Sequence, residues 1–82
     1  MSYKILIDKP ALKFLQKQPQ NQRERLLKAI NLLPTYGDIK PLLAHQNQYR
    51  LLVGSFRVIY AIKNDQLLVQ VLNIGNRDDI YK

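Results

Sequence analysis

Two arginines that flank a short turn are the residues of this sequence best suited to chemistry. Arg50 and Arg57 stand on either side of Gly54-Ser55, each within a run rich in β-branched, aromatic and aliphatic residues. A two-residue connection that begins with glycine favours a type II′ hairpin turn between two antiparallel strands. The arginines are therefore expected on neighbouring strands, here residues 49–53 and 56–62.

The hairpin register decides which face of the sheet each side chain occupies. A two-residue loop pairs Val53 with Phe56 and Leu52 with Arg57, so that side chains alternate between the two faces from there. One face then carries a continuous apolar set: Tyr49, Leu51, Val53, Phe56, Val58, Tyr60 and Ile62. The opposite face, which we call the distal face, carries Arg50, Leu52, Arg57 and Ile59.

The two guanidinium groups are expected to lie diagonally near one another on the distal face. Like charges at this separation repel, and arginine offers a planar fork of donors that matches phosphate. An anion between Arg50 and Arg57 explains the placement most simply. The alternative is that both are ordinary solvated arginines on an exposed sheet.

Two amphipathic helices must cover the apolar face. A strand is predicted at residues 3–7, after which Asp8 is expected to cap a first helix that ends at Pro19. A second helix is predicted from about Gln20, because apolar residues recur at three- and four-residue intervals up to the breakers Pro34 and Gly37. Each helix needs an apolar surface to lie on, which the sheet provides.

The remaining segments complete an α+β fold with an N-terminal strand, a helical hairpin and a three-stranded antiparallel meander, the helices packed on one face. Residues 35–48 are expected to be mostly loop. A third meander strand is predicted at residues 67–74, after a two-residue turn at Asn64-Asp65. A turn of this length places the side chains of the third strand in two sets. Leu67, Val69 and Val71 are expected in the core, and Leu68, Leu72 and Ile74 on the distal face.

The composition limits the classes of function that the chain can have. Residues 1–82 are short enough to form one domain, and thirteen Lys and Arg against six Asp and Glu give a net charge of +7 that attracts nucleic acid. The chain lacks cysteine and has a single histidine, His45, so neither a metal site nor another cofactor is expected. It also lacks a long apolar run, which favours a cytoplasmic protein without a membrane partner.

Residues 49–60, YRLLVGSFRVIY, followed by IGNR at 74–77 and IY at 80–81, resemble the C-terminal half of RelE-type toxins of the RelE/ParE superfamily. These toxins are halves of type II toxin–antitoxin pairs, and their order of strands and helices is the one predicted above. The resemblance implies a cognate antitoxin, the ribosome and messenger RNA as partners. It also implies a metal-independent cut of the message, in which the ribose 2′-hydroxyl attacks its own adjacent phosphate.

The resemblance assigns roles to four residues. Arg57 would brace the scissile phosphate and Arg50 would bind the substrate beside it. Arg77 would neutralise charge on the leaving group, and Tyr81 would stack on a base or share in proton transfer. Arginine stays protonated in proteins, so none of the arginines is a natural proton acceptor.

Two positions depart from the family pattern, and they keep three functions open. Leu52 stands where many relatives have Lys or Arg, and Asn76 precedes Arg77 where Lys or His is frequent. His45 has the chemistry of a proton carrier, yet its polar loop favours a surface role. The functions left open are an mRNA endonuclease, a ParE-like protein that inhibits DNA gyrase by contact, and a weakly active member that mainly binds antitoxin and RNA.

Overall fold

A computed structural model of the chain describes residues 3–43 and 46–76. Within them the fold is α+β, with two helices and a five-stranded mixed sheet. The strands are β1 (Lys4–Ile7), β2 (Asp38–Pro41), β3 (Gln48–Val53), β4 (Phe56–Lys63) and β5 (Leu68–Asn76), and the helices are α1 (Lys9–Lys17) and α2 (Gln20–Asn31). None of the helices in this part of the chain has the length and apolarity needed to cross a membrane.

The helices begin where the sequence predicts, although α2 ends at Asn31, before the predicted breaker Pro34, and Asp8 does not cap α1 with its side chain. Its backbone is extended, as an N-cap requires, while both carboxylate oxygens accept from the Gln70 side-chain amide at 3.0 and 3.2 Å. Asp8 thereby ties the start of α1 to the middle of β5. Pro10 occupies the first turn of α1, where a missing N–H is tolerated, and Pro19 separates the two helices.

The sheet has the order β1-β5-β4-β3-β2. Strands β3, β4 and β5 form the predicted antiparallel meander, β2 adds antiparallel to β3, and β1 lies parallel to β5. The prediction of a three-stranded meander was therefore incomplete, because both the N-terminal strand and a strand from the expected loop extend the same sheet.

The β3–β4 hairpin has the predicted register. Val53 pairs with Phe56 and Leu52 with Arg57. Gly54 has a φ of 59° whereas Ser55 does not have a positive φ, and this combination fits the type II′ turn rather than type I′. The assignment of β3 and β4 side chains to two faces is confirmed from this register.

The connection between β4 and β5 differs from the predicted two-residue turn. Residues Asn64–Gln66 form a short 3₁₀ turn, and Leu67 closes it in the left-handed conformation with a φ of 49°. Leu67 therefore lies outside the strand and is 38% exposed. Its prediction as a core residue was wrong because the turn contains two more residues than expected.

A β-bulge in β5 places Ile74 in the core, which differs from its predicted position on the distal face. Tyr60 pairs with Val71 but Ile59 pairs with Asn73, which leaves Leu72 as an extra residue on β5. The extra residue reverses the alternation beyond it. Ile74 consequently pairs with Val58 and joins the core, instead of lying with the arginines as predicted.

The core lies between the helices and the predicted apolar face of the sheet. Phe14 of α1 meets Phe56 of β4 edge to face, with ring centroids 5.8 Å apart, an arrangement favoured by the ring quadrupoles. The buried cluster comprises Ala11, Leu15, Leu26, Ile30, Leu33, Leu51, Val53, Phe56, Val58, Tyr60, Val69, Val71 and Ile74. The helices thus cover the apolar face of the sheet and do not cover the distal face.

Candidate anion-binding site

Arg50 and Arg57 project from adjacent strands onto the distal face, as predicted. Arg50 pairs with Ile59 and Arg57 with Leu52, so the two arginines are diagonal neighbours. Diagonal residues of an antiparallel pair lie about 7–8 Å apart, within reach of one another's long side chains. One phosphate group can therefore contact both guanidinium groups.

Both arginines are buried, which excludes the interpretation that they are ordinary solvated residues. Each is only 9% exposed, although arginine rarely lies so deep unless it is paired. Charge held away from bulk water interacts more strongly with an opposite charge than it would in solvent. The structure therefore places two guanidinium groups of low exposure on the same face of the sheet.

Arg50 is held in place by Asp38 of the neighbouring strand β2. Its Nη1 lies 3.7 Å from Asp38 Oδ1 and donates to the Asp38 carbonyl oxygen at 3.4 Å. The Asp38 side chain is 62% exposed, whereas that of Arg50 is 11% exposed. The carboxylate thus approaches the guanidinium from the solvent side and limits its range of orientations.

Sequence reasoning missed the contribution of β2, because it assigned residues 35–48 mostly to loop. Asp38 pairs with Leu52 and Lys40 pairs with Arg50, which places both charged residues on the distal face. Ile39 between them packs against the core. This polar–apolar–polar alternation was the available signal, but three residues before Pro41 are too few to distinguish a strand from a loop.

Tyr49 and Tyr60 belong to the opposite face, as predicted. Their rings stack with centroids 5.6 Å apart, and Tyr60 is fully buried. Burial, together with the neighbouring Tyr49, raises the pKa of Tyr60 to about 12. Both tyrosines therefore lie on the face opposite the two arginines, and the raised pKa of Tyr60 makes its hydroxyl unsuited to proton transfer at neutral pH.

Three other residues singled out in the sequence fall outside the described residues: Arg77, Tyr81 and His45. The two positions that depart from the family pattern, Leu52 and Asn76, lie within the described residues. Leu52 is half-buried directly opposite Arg57, and Asn76 is the last residue of β5, opposite Phe56. The described part of the site therefore consists of Arg50, Arg57 and the charged residues of β2.

Known proteins resemble this chain along nearly its whole length. The family model described as the ParE toxin of the type II toxin–antitoxin system parDE matches residues 5–81. The RelE1 protein of Methanocaldococcus jannaschii is 30% identical over an alignment that covers 100% of this chain and 98% of that protein. The match therefore includes both arginines of the site and the segment that follows β5.

Solved structures share the fold as well. The archaeal RelE–RelB complex from Pyrococcus horikoshii superposes with a TM-score of 0.78 at 25% identity, covering 94% of this chain and 97% of that one. The RelB–RelE antitoxin–toxin complex from Methanococcus jannaschii gives a TM-score of 0.72 at 26% identity, covering 93% and 94%. In both solved structures the similar chain belongs to a complex of toxin and antitoxin.

Proposed function

Because the chain belongs to the RelE/ParE superfamily of toxins from type II toxin–antitoxin systems, we propose that it cuts messenger RNA on the ribosome. The observation that carries this proposal is the buried pair Arg50 and Arg57, diagonal on the distal face. A toxin that acts only by protein contact has no chemical need for two buried guanidinium groups side by side. A phosphodiester is an anion whose oxygens can accept hydrogen bonds from two neighbouring guanidinium groups.

The proposed reaction is an internal transfer at one phosphodiester. The 2′-oxygen bonds to the adjacent phosphorus, its proton passes to a base, the bond from phosphorus to the 5′-oxygen breaks, and that oxygen takes up a proton. Charge accumulates on the non-bridging oxygens in the transition state, where Arg57 and Arg50 stabilise it. In this proposal Arg77 neutralises the leaving oxygen, and Tyr81 stacks on a base or shares in proton transfer.

Cleavage of ribosome-bound message after induction of the protein tests the proposal. Primer extension should reveal site-specific cuts for the wild type, reduced on the order of 10²-fold in Arg57→Gln, because one donor to the developing charge is lost. Arg25→Gln is the matched control, since Arg25 is an exposed residue of α2 that lies over the hairpin turn at Gly54. Absence of cuts by the folded wild type would remove the proposal.

The family model that matches is the one described for ParE, and this favours a second candidate function, inhibition of DNA gyrase by contact. In that case the supercoiling activity of purified gyrase should fall when the protein is added. Arg57→Gln would then leave inhibition largely intact. The cleavage and supercoiling assays together separate the two candidates.

A cognate antitoxin is the proposed partner of this chain, because similar chains occur in complexes of RelE with RelB. The net charge of +7 predicts acidic residues on the antitoxin surface that meets the distal face. The rate of association should therefore fall as salt rises. A tagged toxin that fails to retain any antitoxin at low salt would contradict this assignment.

A further inference from the structure

The strand β2 adds a third cation to the site. Lys40 lies directly opposite Arg50, and directly opposed residues of an antiparallel pair have Cβ atoms about 4.5–5.5 Å apart. The adjacent pairs form two rows across the sheet, Lys40–Arg50–Ile59 and Asp38–Leu52–Arg57. Lys40 therefore extends the row that contains Arg50, on the same face as Arg57.

The charges in these two rows do not balance. Asp38 is the only carboxylate among them, and it is already engaged with Arg50. Lys40 has no acidic partner among the described residues, and it directly faces the like charge of Arg50. Like charges placed directly opposite each other destabilise a sheet, so this arrangement favours a bound anion over an empty surface.

Exposure distinguishes Lys40 from the arginines. Arg50 and Arg57 are each 9% exposed, whereas Lys40 is exposed to solvent at the edge of the sheet. Its ammonium group has three donors on a flexible four-carbon stem, which suits contact with a backbone phosphate whose position varies. An RNA strand that reaches the arginines from this edge meets Lys40 first.

We propose that Lys40 is a substrate-binding residue that contacts the phosphate of single-stranded RNA next to the one held by Arg50 and Arg57. The proposal rests on the RNA substrate of the proposed function and assigns β2 to the RNA-binding surface. It also identifies a cation on the distal face beside Leu52, where the family pattern leads one to expect a positive charge on β3.

The salt dependence of RNA binding tests this role. The probe is a short single-stranded RNA with 2′-O-methyl groups, which cannot be cut by attack of its own 2′-oxygen. For single strands, the slope of log K against log salt is about −0.7 per neutralised phosphate. Lys40→Gln should therefore make the slope shallower by about 0.7, and Lys40→Arg should restore it.

Lys63→Gln is the matched control, because it removes the same charge from the same face. Lys63 is the exposed last residue of β4, about 20 Å along the strand from Arg57, so its substitution should leave the slope unchanged. Equal slopes for Lys40→Gln and the wild type would overturn the proposal. Equal losses for Lys40→Gln and Lys63→Gln would also overturn it, because they would show attraction by overall charge alone.

The binding assay is independent of cleavage. Suppose that the wild type does not cut ribosome-bound message, while Lys40→Gln shows the loss of one phosphate contact. This result would refute the endonuclease function and retain the RNA contact. A wild type that cuts while Lys40→Gln binds RNA with an unchanged slope would refute only the role of Lys40. Thermal unfolding of each variant verifies that the comparison is made between folded proteins.

Discussion

Asp38 of β2 contacts Arg50 of the adjacent strand β3, with its Oδ1 3.7 Å from the Arg50 Nη1. The same nitrogen donates to the Asp38 backbone carbonyl at 3.4 Å. A carboxylate thus occupies one side of a guanidinium group that the proposed function assigns to phosphate. The contact orients Arg50, and it also competes with any anion that approaches from the edge of the sheet.

Substitution Asp38→Asn should strengthen RNA binding. It removes the competing negative charge while the backbone carbonyl still accepts from Arg50, so the same uncleavable RNA should bind more tightly at low salt and show a steeper salt dependence. Stability should change by less than about 1 kcal/mol, because the Asp38 side chain is 62% exposed. Weaker binding by a folded Asp38→Asn would show that the ion pair instead preorganises Arg50.

Removal of the Tyr60 hydroxyl should leave the protein as stable or more stable. This hydroxyl is buried without a hydrogen-bond partner in the described part of the chain, and a buried polar group without a partner is destabilising. Tyr60→Phe should therefore raise the free energy of unfolding by up to about 1 kcal/mol in urea denaturation. Tyr36→Phe, at a residue that is 65% exposed, is the control expected to show little change.

Alkaline pH should destabilise the wild type through the same residue. The pKa of Tyr60 is raised from 10.0 to about 12 in the folded state, so between these values the folded protein retains a proton that the unfolded chain loses. Stability from this group is complete below pH 10 and decreases as pH rises towards 12, by at most about 1.4 kcal/mol per pH unit. A Tyr60→Phe variant with the same decline would contradict the assignment.

Gly37→Ala should destabilise the fold and loosen β2. Gly37 has a φ of 132°, and a Cβ there would lie 2.5 Å from Cδ1 of the buried Leu51. Backbone strain and displacement of a core side chain together should cost about 1–3 kcal/mol. Thermal unfolding against Thr35→Ala, an exposed loop substitution two residues earlier, measures the effect. An unchanged midpoint for Gly37→Ala would contradict the steric interpretation.

The sequence predicts that Arg50 and Arg57 share one face of the sheet, because the turn between their strands determines this placement. Gly54-Ser55 sets the hairpin length, and the length sets the face of every side chain on β3 and β4. The placement of Arg50 and Arg57 together follows from that turn alone. The helices were predictable for a related reason, since their apolar spacing and the breakers Pro19 and Pro34 are short-range signals.

The edges of the site depend on interactions that are distant in sequence. Strand β2 is four residues long and owes its conformation to pairing with β3, so residues 35–48 alone look like a loop. The bulge at Leu72 has no local marker such as glycine, yet it decides that Ile74 faces the core. Pairing partners, rather than propensity, determine both features.

The parallel pairing of β1 with β5 has a consequence for the order of assembly during synthesis. Lys4 pairs with Leu68, so β1 is synthesised long before β5, the strand with which it pairs. Contacts between distant residues form slowly because a large loop must close first. The nascent chain therefore carries an incomplete sheet until β5 has been synthesised, and a truncated product that ends before β5 lacks the strand that lies between β1 and β4.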